Sequence, residues 1–483
     1  MRARRPIQNA ASRTMDANTG EHVIHLYAKR EPIYPRSVKG WYVRWRWVMV
    51  WLTQLVFYGL PWLQWHGRQA VLFDLAERRF FIFNLVLHPQ DLIYLAALLV
   101  LSALALFFFT AVAGRLWCGY ACPQTVYTEI FMWLERRTEG DRMARIRLDA
   151  APWSVQKCLR KGAKHLSWMG VALVTGFSFV GYFTPIHALA AELGHGSFSA
   201  WEWFWVLFYA GATYGNAGYM REQICKFMCP YARFQSALID MDSLVIAYDA
   251  ARGEARGSRP RNVDPRSKGL GDCVDCTLCV QVCPTGIDIR NGLQNECIAC
   301  AACIDVCDDV MSKMGYAKGL IRYSSGNGIA RSLDWRRMLR RVWRPRVIIY
   351  GVLLLVTAAL FIGGLSMRRG FRVDVIKDRS IQARVVEHGH VENVYRVQVM
   401  NGTEDEQSYS IDVTGLPELQ VASASSLVVP PTGIGTLTVR LSLPPEIAQH
   451  YAGQTHQIMF EIKNGTGEGA PVAEEKSVYF VPK

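Results

Sequence analysis

CVDCTLCVQVCPTGIDIRNGLQNECIACAACIDVC, residues 273–307, decides the fold of the middle of this chain. It holds two C-x2-C-x2-C-x3-C runs in tandem: Cys273, Cys276, Cys279 and Cys283, then Cys297, Cys300, Cys303 and Cys307. Four soft thiolates satisfy an iron–sulfide cubane. The tight spacing wraps three of them around one cluster, and the fourth comes from the other run. This assigns one 4Fe–4S cluster to Cys273, Cys276, Cys279 and Cys307, and a second to Cys297, Cys300, Cys303 and Cys283. Pro284 follows the first run as the motif expects, whereas Asp308 stands where a second proline would be and removes no ligand. Zinc sites usually pair two C-x2-C units at longer separation, so zinc is the weaker reading. Two clusters in one small segment make an electron relay. No flavin or nicotinamide fingerprint accompanies them, so electrons come from a donor that the sequence does not name.

A second cysteine signature lies upstream and occurs twice. CGYACPQTVY starts at Cys118 and CKFMCPYARF at Cys225, each at the end of an apolar run. Both read C-x-x-x-C-P with an aromatic four residues beyond the proline, Tyr127 and Phe234. On a helix, positions i and i+4 share a face, so two such sulfurs converge. The proline ends the hydrogen-bond ladder, which predicts a helix break at Cys122 and Cys229. Constrained thiolates select Cu(I), zinc or an iron–sulfur cluster, and a redox relay alongside disfavours zinc. The duplication suggests two facing halves whose four thiols form either one site or two. Buried structural cysteines and a regulatory dithiol are the competing readings. Cys158 stands alone in a basic loop and reads as an incidental thiol. Met220 and Met228 read as packing, and His187 and His195 as residues of an outer turn.

Five runs are long enough to cross a bilayer, near Trp47–Leu63, Leu92–Val112, Leu166–Ile186, Trp201–Tyr219 and Val347–Leu365. The third and fourth are expected to form a hairpin through a short turn. Basic residues crowd residues 135–165 and the stretch before the fifth run, while the turn 187–200 has no Lys or Arg. The positive-inside rule then places the N-terminus in the cytoplasm and the C-terminus outside. Residues 71–87 are left as a short hairpin or a re-entrant piece. The start of the chain is basic and polar, without the apolar core of a signal peptide.

Beyond the fifth run the period changes to two. VYRVQVM, TLTVRLSL and HQIMFEI alternate apolar and polar residues between turn signals, which predicts an antiparallel sandwich without an immunoglobulin-type disulfide. The expected order is a disordered basic arm over 1–40 and a four-helix membrane domain over 41–245. A cytoplasmic two-cluster domain over 246–345, a fifth span over 346–366 and a β domain over 371–483 follow. The net charge of +13 on 483 residues flanks apolar runs, so it reads as membrane topology and not as nucleic-acid binding.

The joint pattern resembles the CcoG family, also called FixG or RdxA, of cytochrome c oxidase accessory proteins. CGYACPQTVYTEIFMWLERR, CKFMCPYARFQSALID, the tandem cysteine runs, GLIRY at 319–323 and a terminal β domain carry the resemblance. Ala317 departs from an expected proline and touches no ligand. The resemblance implies an inner-membrane iron–sulfur protein with an immunoglobulin-like C-terminal domain, needed for maturation of cbb3-type cytochrome c oxidase. It implies reduction of Cu(II) to Cu(I), with Cys118, Cys122, Cys225 and Cys229 binding copper. Expected partners are the membrane, the oxidase subunits or their copper-delivery factors; a homodimer is also allowed. Two alternatives stand beside it: a quinol-linked electron-transfer subunit, and a non-enzymatic assembly scaffold.

Overall fold

The computed structural model describes residues 32–483 apart from 262, 369, 379–382 and 466–470, together with the short strands Arg13–Met15 and His22–Ile24. The expected disordered arm falls largely outside the described residues.

Among the described residues, nine helices carry the first half: α1 (Trp41–Gly59), α2 (Leu92–Ala113), α3 (Leu116–Tyr120), α4 (Pro123–Thr138), α5 (Arg142–Ala150), α6 (Val155–Val180), α7 (Ile186–His195), α8 (Ala200–Thr213) and α9 (Pro230–Leu238). Two π-helical segments, Tyr214–Met220 and Ile224–Met228, join α8 to α9. Among the described residues, two helices are long and apolar enough to cross a membrane, Pro89–Ala113 and Pro345–Ser366. They pack antiparallel. Tyr94 donates to the carbonyl of Gly364 at 3.0 Å near one end, and Phe108 lies against Gly351 near the other. Their apolar side chains are almost wholly on the outside, the reverse of a soluble core helix.

The hairpin expected from the third and fourth runs is more elaborate. α6 begins eleven residues earlier than the apolar run, because Ser154 caps it by accepting from the amide of Lys157 at 3.2 Å. The turn expected over 187–200 contains a helix, α7, closed by Gly196 in the left-handed region. Ser199 and Glu202 then form a reciprocal cap that starts α8. α6 and α8 cross closely at Gly176, where a Cβ would stand 2.3 Å from the carbonyl oxygen of Val206.

Residues 71–87 form a three-stranded antiparallel sheet, Val71–Asp74, Arg79–Ile82 and Leu85–Leu87, around Leu72, Phe81 and Val86. This sheet is the seat of the C-terminal domain. Arg79 donates to the Thr432 carbonyl at 2.9 Å, and Arg68 pairs with Glu404. Nearby, Asp91 is buried between Arg368 at 2.6 Å and Arg372 at 2.9 Å. The domain itself is a sandwich. One sheet runs Phe371–Lys377, Val391–Asn401, Ile434–Leu443, Gln420–Val421; the other runs Ser426–Val429, Gln407–Thr414, Thr455–Asn464, Val472–Phe480. Tyr395, Tyr409, Phe371 and Phe460 fill the space between them, with ring pairs 5.1 Å apart.

At the opposite end of α2 lies the cysteine-rich segment. A two-stranded ladder, Val245–Tyr248 with Ile321–Ser324, backs it, and the helix Ala302–Met314 packs on that ladder. Asp305 of this helix accepts from the amides of Val43 at 2.9 Å and Tyr42 at 3.3 Å. It thereby supplies the N-terminal cap that Gly40 lacks and ties the segment to α1.

Candidate electron-transfer site

The eight cysteines of the tandem runs surround two separate cavities. One is lined by Cys273, Cys276, Cys279 and Cys307, closed by Tyr248 and Leu320. The other is lined by Cys283, Cys297, Cys300 and Cys303, with Cys279 on the shared wall. The fourth cysteine of each run therefore turns into the cavity of the other run. The two halves also share a backbone device. Asp275 and Thr277 in the first run, and Ala299 and Ala301 in the second, all adopt positive φ, between 50° and 59°. Such residues cost free energy unless something requires them, and they turn successive amide N–H groups toward one concavity, a nest for a negatively charged group. The amides of Ala299 and Ala302 donate to the sulfurs of Cys297 and Cys300. Without a cation, burial pushes the Cys297 and Cys307 thiols up to about 12 and the Cys279 thiol up to about 11. Cavity, nest and buried thiols together fit a cubane with sulfur ligands.

Cys118 and Cys225 pack against the apolar cluster of Val282, Ile298, Cys300 and Ala302, of which Ile298 and Cys300 also line the second cavity. The break expected at the second cysteine of each pair is present. Cys122 and Cys229 have extended backbones, and Pro123 and Pro230 open α4 and α9. Cys225 feels the charge of Cys122, Cys118 and Cys229, so the two turns face one another. Burial and these neighbours push the Cys225 thiol up to about 12; burial and Cys122 push Cys118 up to about 11. Cys118 also donates to Oε1 of Gln235 at 3.3 Å, and Gln235 is fully buried. Cys158 is exposed and far from this quartet in the chain, on α6.

Among the described residues, no group of three or more His, Cys, Asp or Glu side chains stands close enough to hold a single metal ion. For the eight tandem cysteines this follows from the size of a cubane, whose ligands bind different irons and stand apart. For the quartet it means that no three of its thiols stand within reach of one ion in this arrangement.

Contacts that sequence reading did not single out lock the quartet to the second cavity. Gly119, between Cys118 and Cys122, lies against backbone: a Cβ there would stand 2.7 Å from the Ile298 oxygen and 2.9 Å from the Ala299 oxygen. Arg115 donates to the carbonyl of Asn295 and, at 2.6 Å, to that of Ala232 on α9. Lys226, between Cys225 and Cys229, donates to the Thr285 carbonyl at 3.3 Å. Arg46, buried on α1, pairs with Glu129 at 3.1 Å beside Cys300. Tyr323 donates to the Ala299 carbonyl at 2.7 Å. A glycine or arginine in a helix carries no signal of this kind until the chain is folded.

Comparison with known proteins bears on this architecture. Residues 220–326 match the family described as a 4Fe–4S dicluster domain, and residues 95–139 match a 4Fe–4S binding domain. Residues 361–482 match the IG-like fold at the C-terminus of FixG. Nitrogen fixation protein FixG of Rhizobium meliloti is 38% identical over 464 residues, covering 87% of this chain and 88% of the relative. The chain belongs to the FixG family. Protein RdxA of Cereibacter sphaeroides is 36% identical over 466 residues, 94% of this chain and 98% of the relative, and RdxB of the same organism is 38% identical over 405 residues, 82% and 85%. A crystal structure of a FixG-related protein from Vibrio parahaemolyticus is 26% identical, covering 24% of this chain and 99% of that one, with a TM-score of 0.21. As a FixG-family member the chain is an iron–sulfur electron-transfer protein with an Ig-like C-terminal domain, and its two long apolar helices mark it as a membrane protein.

Proposed function

We propose that this FixG-family protein reduces Cu(II) to Cu(I) for assembly of the copper centre of cbb3-type cytochrome c oxidase. Copper is the substrate, taking up one electron per ion at Cys118, Cys122, Cys225 and Cys229. Cys273, Cys276, Cys279 and Cys307 would hold one 4Fe–4S cluster, and Cys283, Cys297, Cys300 and Cys303 the other. When bound, these clusters supply one-electron storage and transfer. The observation that carries the reading is the contact of Gly119 with Ile298 and Ala299, which brings the thiol quartet against the cradle of the second cluster. Thiolates favour Cu(I) over Cu(II), so the quartet retains the product of the reduction.

The reading includes a topology of five spans in the inner membrane, with the N-terminus and cluster domain in the cytoplasm and the sandwich in the periplasm. It is supported by the placement of the cysteine-rich segment and the sandwich at opposite ends of α2. Its partners would be the oxidase subunits or their copper-delivery factors. The test is anaerobic: reduce the purified protein, add stoichiometric Cu(II), and follow Cu(I) with a selective chelator. One Cu(I) per electron given up is expected, lost when Cys122 and Cys229 are both replaced by Ser although the iron–sulfur absorbance stays. Copper left as Cu(II) by the reduced native protein, or a double variant as active as the native one, would overturn the reading.

A further inference from the structure

A cavity of about 380 Å³ lies among α1, α4, α6, α8 and the π-helical turn that follows α8. It is in the range of small-molecule sites. Most of its wall is apolar: Phe57, Val126, Phe179, Tyr209 and Ala217 contribute much of it. The outward faces of the same helices are apolar as well, with Trp51, Leu55, Val174, Trp201 and Phe208 exposed. A ligand reaching this cavity through such surroundings must itself dissolve in an apolar phase.

One wall is polar, and its protons can be counted. Thr175 donates to the Val171 carbonyl at 2.8 Å, so the Tyr58 hydroxyl, 2.8 Å from Thr175 Oγ1, donates to it. Tyr127, 3.4 Å from Tyr58, then donates to that hydroxyl. Beside Tyr127 stands Gln54, only 9 % exposed, and among the described residues its Oε1 is buried without a hydrogen-bond partner. Buried side-chain oxygens are nearly always satisfied. The cavity thus presents an unfilled acceptor within a mostly apolar wall, in which Thr53, Gln124, Thr213 and Asn216 are further polar residues. Water donates a proton but needs two to four polar partners, and so does not fill the stretch walled by Phe57, Val126, Phe179 and Ala217. A lipid chain fills the apolar part but has no proton to donate. A soft metal ion finds no thiolate among the lining residues.

We infer that this cavity binds the head group of an isoprenoid quinol, its ring against Phe57, Phe179 and Tyr209 and one hydroxyl donating to Gln54 Oε1. The site adjoins the thiol quartet, because Ala121 and Pro123, the neighbours of Cys122, form part of its wall. As a source of electrons the quinol rests on the electron-transfer reading above; as a ligand it does not. The oxidised quinone lacks the donor proton, so the reduced form binds more tightly, by about tenfold for one hydrogen bond.

The test is binding alone, without copper. Ubiquinol and ubiquinone carrying one isoprene unit are titrated calorimetrically into the full-length holoprotein in nanodiscs, the quinol series with dithionite-reduced protein. Expected are one site per chain, the quinol preference, loss of that preference in Gln54→Leu, and loss of binding in Ala212→Phe, which fills the cavity. Absence of saturable binding would overturn the inference. So would binding unchanged by both variants, which is partition into lipid. Failure here with copper reduction intact sinks the quinol site and leaves the proposed function standing.

Discussion

Replacing Gly119 by alanine tests the contact on which the functional reading turns. The added Cβ would meet the Ile298 oxygen at 2.7 Å, where ordinary contact begins at 3.4 Å, so motif and loop must part by about 0.7 Å. Both opposing atoms belong to the backbone between Cys297 and Cys300, and neither can swing aside as a side chain would. Overpacking of this kind costs about 1–3 kcal/mol, which raises the opening of the interface by about 5- to 150-fold. Hydrogen exchange over residues 294–302, followed by mass spectrometry, reads that opening directly. Gly162→Ala is the control: it also adds a methyl to a helix, but its Cβ meets nothing within 4 Å. Protection over 294–302 should fall in Gly119→Ala and hold in Gly162→Ala. If both variants stay within about twofold of the native protein, the first thiol turn does not rest on the cluster loop.

Arg46→Met removes the buried partner of Glu129 and leaves that carboxylate only Arg136, at 3.5 Å; stability should drop by about 3–5 kcal/mol. A positive charge beside Cys300 favours the state with the extra electron, so the same variant should lower the midpoint potential of the adjoining cluster. An unshifted potentiometric EPR titration would place Arg46 outside that field. Asp91→Asn removes the charge shared by Arg368 and Arg372, both within 2.9 Å. It should weaken the seat of the sandwich and speed limited proteolysis between the last long helix and the first strand of that domain; unchanged cleavage would show that the three-stranded sheet alone holds it.

Legibility differed from region to region for physical reasons. The tandem cysteine runs were readable because the ligand spacing is a local property of the chain: Cys273 to Cys279 wraps its own cavity within seven residues. The break at Cys122 and Cys229 was equally local, fixed by the missing amide of Pro123 and Pro230. Helix ends were less so. α6 extends over a basic, unpromising stretch because Ser154 caps it, and α7 occupies an expected turn. Hydropathy averages over such features, whereas a helix forms wherever its backbone groups are satisfied. Residues 71–87 were ambiguous because short strands acquire their meaning from the partner they carry, here a sandwich that begins almost three hundred residues later.

Sequence by itself determined the thiols, their grouping, the apolar runs and the alternating strands, since each is written in the spacing of neighbouring residues. Only the tertiary structure decided that Gly119 rests on the loop of Cys297 and Cys300, that Arg46 lies beside Cys300, and that Gln54 is left with a free acceptor inside an apolar cavity. The first two of these join residues far apart in the chain, Gly119 to Ile298 and Arg46 to Cys300. No periodicity links positions so distant. Packing brings them together, and packing depends on the shape of the whole fold.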